Sequence, residues 1–264
     1  MDINETASPA DGHLLVLGAS EERLQLVLGQ CRDGKAGLLT AQEWIVPSRA
    51  MGVLAPALEQ AFKLLRITPA DLGGIACVYG PGSFTGIRII LSTAMGFLGG
   101  SRTPLAGLNH LQTLAVSAPP LAPAASLAVL TYARRGQVYL QAFDPETRQP
   151  LDGWEDVRAL TAQQARGLLD SLPQPVATLG TGLRRNPEVF ADIASLPQDF
   201  DTPKADALLR MAAQARYARA PIAPCYVRPS DAEENLEHIA SLRGLSLDEA
   251  QKRIDLSLED MIIK

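Results

Sequence analysis

Residues 74–100 read GIACVYGPGSFTGIRIILSTAMGFLGG. The first six have strand character, the glycines of Gly80-Pro-Gly-Ser-Phe-Thr-Gly86 mark a tight turn, and an apolar helix is expected from Ile87. A strand running through a glycine turn into a helix is the repeating step of an α/β fold. It is also a place where backbone N–H groups and a helix N-terminus can meet an anion. Neither standard nucleotide loop fits: GxxxxGK[ST] needs a lysine that is absent, and the dinucleotide fingerprint needs GxGxxG where these glycines fall as GxGxxxG. On the residues alone, Gly80, Pro81, Gly82, Ser83, Phe84, Thr85 and Gly86 form either a structural strand-to-helix turn or an anion- or partner-binding loop.

Upstream, the apolar runs LLVLG (14–18) and LQLVLGQ (24–30), with a third over 38–46, predict a three-stranded meander. Residues 52–66 then place Val53, Leu54, Leu58, Ala61, Phe62 and Leu65 at helical spacing, and Thr68-Pro-Ala-Asp71 has the cap, first-turn proline and acid of a further helix start. The order is βββαβα. A second round begins at Ser126, where SLAVLTYA and QVYLQAF flank an Arg134-Arg135-Gly136 hairpin turn. Helical patterns follow at 161–172, 186–196 and 204–220, with a strand at 175–179 and a weak glycine turn at Gly180-Thr-Gly182. The halves read as degenerate copies of one plan. Capping boxes at Ser230/Glu233 and Ser246/Glu249 open two amphipathic helices in the tail, whose apolar faces suit either this protein or a partner. The expected organisation is a lead-in over 1–13, lobes over 14–118 and 119–228 with the 204–220 helix on either lobe, and a helical tail over 229–264.

The helix beginning at Ile87 is apolar almost all round, which predicts burial on more than one side. Ser92, Gly96 and Gly100 recur every four residues, a stripe small enough for close helix approach. That approach can be internal or intersubunit; both readings stay open. Between Asp71 and Asp144 there is no acid, while Arg88, Arg102, Arg134 and Arg135 give the window a charge of +4 within a chain of net charge −5. Such segregation favours an anionic ligand or acidic partner near the glycine turn if the arginines converge.

Net acidity argues against a free-standing nucleic-acid binder. A composition of 47% hydrophobic and 20% charged residues is that of a globular chain, not a disordered or collagen-like one. The acidic residues 1–13 do not resemble a signal peptide, and the longest apolar run is too short and too charged to span a bilayer. Three dispersed cysteines fit a reducing compartment, so a cytoplasmic location is expected. His13, His110 and His238 show no HxxxH spacing, and Ser83 lies outside a GxSxG elbow. No metal site and no catalytic residue is expected.

The stretch 79–88, YGPGSFTGIR, closely resembles the signature of the TsaB (YeaZ) family, partner of TsaD in making threonylcarbamoyladenosine at tRNA position 37. Arg134-Arg-Gly-Gln-Val-Tyr139, Gly180-Thr-Gly182 and Pro224-Cys-Tyr-Val-Arg228 look like later landmarks of that family in the right order. The resemblance implies an α/β, actin/Hsp70/sugar-kinase-like (ASKHA, RNase H-like) duplicated two-lobe fold and a non-catalytic subunit. It implies binding to a TsaD-type catalytic subunit, a TsaE-type ATPase in the larger complex, homodimerisation through the same surface, and contact with tRNA only through the complex. No cofactor would bind stably to the chain alone, with ATP or ADP confined to the interface of the complex. Contact would fall on Arg88, Ser92, Gly96 and Gly100, and anion contact on Arg88, Arg134 and Arg135. Two positions depart from the family, Gly18 and Tyr132, where Asp is common, so neither can organise Mg²⁺. A third departure is Ser48-Arg49-Ala50-Met51, where relatives commonly carry a histidine. The alternatives are an ATP-dependent phosphotransferase of the same fold, which needs acids near Gly18 or Tyr132, and a glycoprotease-like metallopeptidase, which needs a histidine cluster.

Overall fold

The computed structural model describes Pro9, residues 11–46 and residues 50–227. Strands β1 (Gly12–Ser20), β2 (Arg23–Arg32) and β3 (Lys35–Ile45) form the expected antiparallel meander. Both hairpins turn on two left-handed residues, Glu21 and Glu22 at φ 51° and 68°, then Asp33 and Gly34 at 50° and 71°. That backbone matches the twist of the flanking strands. The chain continues through α1 (Ala50–Leu65), β4 (Leu72–Gly80), α2 (Phe84–Ser101), β5 (Leu105–Asn109) and α3 (His110–Ser117). These strands make one sheet in the order β3-β2-β1-β4-β5, with β4 and β5 parallel to β1.

The second sheet repeats the plan. Its elements are β6 (Ser126–Arg134), β7 (Gln137–Phe143), β8 (Arg158–Thr161), α4 (Ala162–Leu169), β9 (Val176–Leu179) and the short α5 (Thr181–Arg184). The strand order β8-β7-β6-β9 matches β3-β2-β1-β4, and β9 runs parallel to β6 as β4 does to β1. The duplication is visible in one backbone angle: Gly80 at the end of β4 and Gly180 after β9 both have φ 118°. After α6 (Pro187–Phe190), α7 (Ala205–Gln214) returns to the first sheet.

That return explains why β1 and β2 read as continuous apolar runs and not as alternating ones. Leu15, Leu17, Leu24, Leu26, Ile75 and Cys77 pack in one cluster with Leu54, Leu58 and Ile90 of α1 and α2. The alternate residues Leu14, Val16, Val27, Ala76 and Val78 pack with Leu208, Leu209 and Ala212 of α7. A strand covered on both faces needs apolar residues at both parities. The second lobe has its own core, in which Leu130, Val138 and Leu140 meet Ala162, Ala165 and Leu169 of α4.

Several local expectations change. The helix start at Thr68 is a single 3-10 turn, Pro69–Asp71, held by the Thr68 N–H and hydroxyl donating to Asp71 Oδ2 at 2.7 and 2.8 Å. It stops there because β4 takes the next residue. Helix over 186–196 is realised only as α6, because Leu196 turns back to donate its N–H to Thr178 O at 2.8 Å. The 204–220 pattern ends as helix at Gln214, beyond which Ala218 bridges to Leu105 of β5. The compact unit Met1–Cys225 contains both sheets; the second unit, Tyr226–Lys264, includes the expected tail helices, which lie outside the described residues. Residues 1–8 of the lead-in, with Ala10, and Ser48 and Arg49 of the family departure lie outside them too.

Leu208 is fully buried between α7 and the first sheet. Leu208→Ala should therefore cost about 2–5 kcal/mol in urea unfolding. A loss near zero would contradict the seat of α7 on that sheet.

Candidate functional site

The 80–86 loop seats α2 on the end of β1. A Cβ added to Gly86 would lie 2.3 Å from the carbonyl oxygen of Ala19, and one added to Gly80 would lie 2.9 Å from that of Cys225. Gly80 also needs its left-handed φ. Ser83 caps the helix, its Oγ accepting from the Gly86 N–H at 3.2 Å. Pro81 is buried, Gly82 packs over Ser20, and the Arg88 guanidinium stacks 3.9 Å above the Phe84 ring. The loop's glycines are thus used by close backbone approach.

With α2 fixed in this way, Gly86, Ile87, Ile90 and Ala94 face inward. Ile89, Leu91, Phe97 and Leu98 flank them against the same core, and among the described residues the opposite face is open. Arg88, Ser92, Gly96 and Gly100 are exposed, and Met95 is 39% exposed beside them. A Cβ built on Gly96, Gly99 or Gly100 meets nothing within 4 Å among the described residues beyond the helix itself and the flanking positions. The small-residue stripe therefore serves no packing inside the described chain. Arg134 and Arg135 lie on the β6–β7 turn of the other lobe, where Arg134 Nε donates to Gln137 Oε1 at 3.0 Å. They and Arg88 come from different lobes, not from one surface element.

A separate cleft of about 290 Å³ opens between the two sheets. Gly18 lines it, and Tyr132 stands at its edge beneath the Arg185 guanidinium, 4.7 Å from the ring centre. Neither position supplies an acid, but Glu21, Glu22 and Asp201 line the cleft, and the sequence reading missed them. Glu21, on the β1–β2 turn, accepts from the Thr181 hydroxyl and from the Tyr132 N–H at 3.3 Å. Asp201 accepts from Arg184 Nε at 2.6 Å and from the Gly180 N–H at 3.1 Å. Burial pushes the Asp201 carboxyl up, and the Arg184 hydrogen bond opposes that shift. Among the described residues no three His, Cys, Asp or Glu side chains group as a metal set. Also among them, no helix is long and apolar enough to cross a membrane.

Comparison with known proteins agrees with the motif. The family model described as TsaD, tRNA N6-adenosine threonylcarbamoyltransferase, matches residues 45–150. The tRNA threonylcarbamoyladenosine biosynthesis protein TsaB of Escherichia coli (strain K12) is 25% identical over 180 residues, covering 67% of this chain and 78% of that protein. The chain is similar to proteins of the TsaB/YeaZ family. Two solved Pseudomonas aeruginosa structures share its fold. One, a protein with similarity to peptidase YeaZ, has a TM-score of 0.66 at 22% identity, covering 82% of this chain and 100% of that one. The other, YeaZ, has a TM-score of 0.62 at 21% identity, covering 81% and 99%. The fold they share with this chain is the duplicated two-sheet α/β plan described above.

The signature glycine and the stripe glycine should respond oppositely to one methyl group. Gly86→Ala should lose about 1–3 kcal/mol by overpacking, because the clash is with backbone. Gly96→Ala, on an open helix face, should gain about 0.5–1 kcal/mol from the helix propensity of alanine. Thermal denaturation of both variants beside the parent reads the two signs.

Proposed function

We propose that this chain takes part in N6-threonylcarbamoylation of adenosine 37 of tRNA as a non-catalytic subunit, docking a TsaD-type protein on the open face of α2. The reading is carried by the stripe of Ser92, Gly96 and Gly100, exposed and without an internal use. Small residues at a four-residue repeat let a second helix approach along ridges and grooves, and Met95 adds an adaptable apolar contact at the centre. Arg88 stands at one end of the stripe for an acidic group of the partner.

The relatives' names supply the reaction; the cleft supports the division of labour. Two of its three carboxylates are engaged by protein donors, Glu21 by Thr181 and Tyr132, and Asp201 by Arg184 and Gly180, while Glu22 is exposed on the turn. A phosphotransferase would need free acids at the places of Gly18 or Tyr132. The reacting groups then belong to the TsaD-type subunit. A TsaE-type ATPase joins the larger complex, ATP or ADP sits at the complex interface, tRNA is met through the complex in the cytoplasm, and a homodimer uses the same α2 face when the partner is absent.

Gly96→Leu tests this directly. The residue has open space around it, so the variant should keep its circular dichroism and thermal midpoint. Its affinity for the TsaD-type subunit should fall at least about 30-fold, the scale of an interface hot spot. Retained affinity in a folded variant would refute docking on this face, and unfolding would refute its exposure.

A further inference from the structure

Glu21 belongs to the first sheet, yet its contacts cross the cleft. Oε1 accepts from the Thr181 hydroxyl at the start of α5 and from the Tyr132 N–H at 3.3 Å on β6. The same N–H donates to Thr181 Oγ1 at 2.9 Å, so the three groups close a small network in which the second lobe holds the carboxylate. Behind it, Oε2 lies 3.6 Å from Nε2 of His110, the first residue of α3. In the turn that carries Glu21, both central residues, Glu21 and Glu22, sit in the left-handed region and neither is glycine. Non-glycine residues adopt that backbone at a conformational cost.

The surroundings gain little from closure. His110 is 2% exposed with neither ring nitrogen in a hydrogen bond, and Ser20 Oγ is buried without a partner among the described residues. Both residues line the cleft. Desolvated polar groups without partners disfavour the closed arrangement, and hydration on opening would relieve them. A single charge-assisted network therefore opposes the desolvation of two polar side chains, which is the balance a two-position element requires.

We propose that Glu21 is an inter-lobe latch, whose bonds to Thr181 and Tyr132 hold the lobes together across the cleft and whose release widens the cleft and hydrates His110 and Ser20. The latch does not depend on the docking assignment for α2. The hinge side is separate: α3 packs against both β5 and β6, and Gln112 Nε2 on α3 donates to Arg148 O at 3.4 Å, so the lobes stay joined when the latch opens.

Spin labels at Leu38→Cys on the first lobe and Arg135→Cys on the second, in a Cys225→Ser background that leaves only the buried Cys31 and Cys77, report the lobe separation by double electron–electron resonance in the full chain. Glu21→Gly removes the latch while suiting the left-handed backbone; Thr181→Val removes its receptor. Both should shift or broaden the distance distribution alike, and the double variant should add nothing to either. Glu22→Gly changes the same turn without touching the latch and should match the parent. An unchanged distribution in the folded Glu21→Gly and Thr181→Val proteins would overturn the latch. So would an equal shift in Glu22→Gly, because turn flexibility would then be the cause.

Discussion

The placement of α2 follows from the contact between Gly86 and the carbonyl of Ala19. Only a residue without a side chain lets α2 begin against the end of β1, at a distance a Cβ could not occupy. With its first turn pinned there and capped by Ser83, the helix has no freedom to rotate. Its inner face must then supply Ile87, Ile90 and Ala94 to the core, and its outer face must show Ser92, Gly96 and Gly100 to solvent. The 80–86 loop is in this sense a positioning device, and its effect is steric.

The duplicated architecture shows what such a fold keeps and what it drops. Strand order, the parallel β1–β4 and β6–β9 pairs, and the left-handed glycine ending each second parallel strand are present in both halves. The helices diverge, α2 running for 18 residues and α5 for only four. The long helix carries the open face, while the short one presents Thr181 to the cleft. Glu21 and Asp201 remain in that cleft as structural acceptors of protein N–H and O–H groups.

Much of this was legible from residue order. The strands β1, β2, β4, β6 and β7 declared themselves because burial on both faces demands unbroken apolar runs. The seat of α2 followed from glycine spacing. The element β5, LAGLN, was missed because five residues with a central glycine carry no periodicity, and β8, RALT, because it is a four-residue edge strand. The open face of α2 was ambiguous in sequence, since a helix rich in Ile, Leu and Gly looks buried all round until its neighbours are placed. The acids in the cleft escaped for a different reason: attention to positions 18 and 132 overlooked that a two-residue turn delivers Glu21 to the same space from three residues away. Asp201 arrives there only through its pairing with Arg184 and Gly180, contacts separated by 17 and 21 residues.

The central claim is that this polypeptide contributes a surface and no reactive groups. Hydrogen exchange, resolved along the chain and recorded with and without the TsaD-type subunit, measures where that surface lies. The account predicts new protection concentrated on residues 88–100, with the walls of the cleft unchanged. Protection confined to the cleft, with α2 exchanging as it does in the free protein, would contradict it.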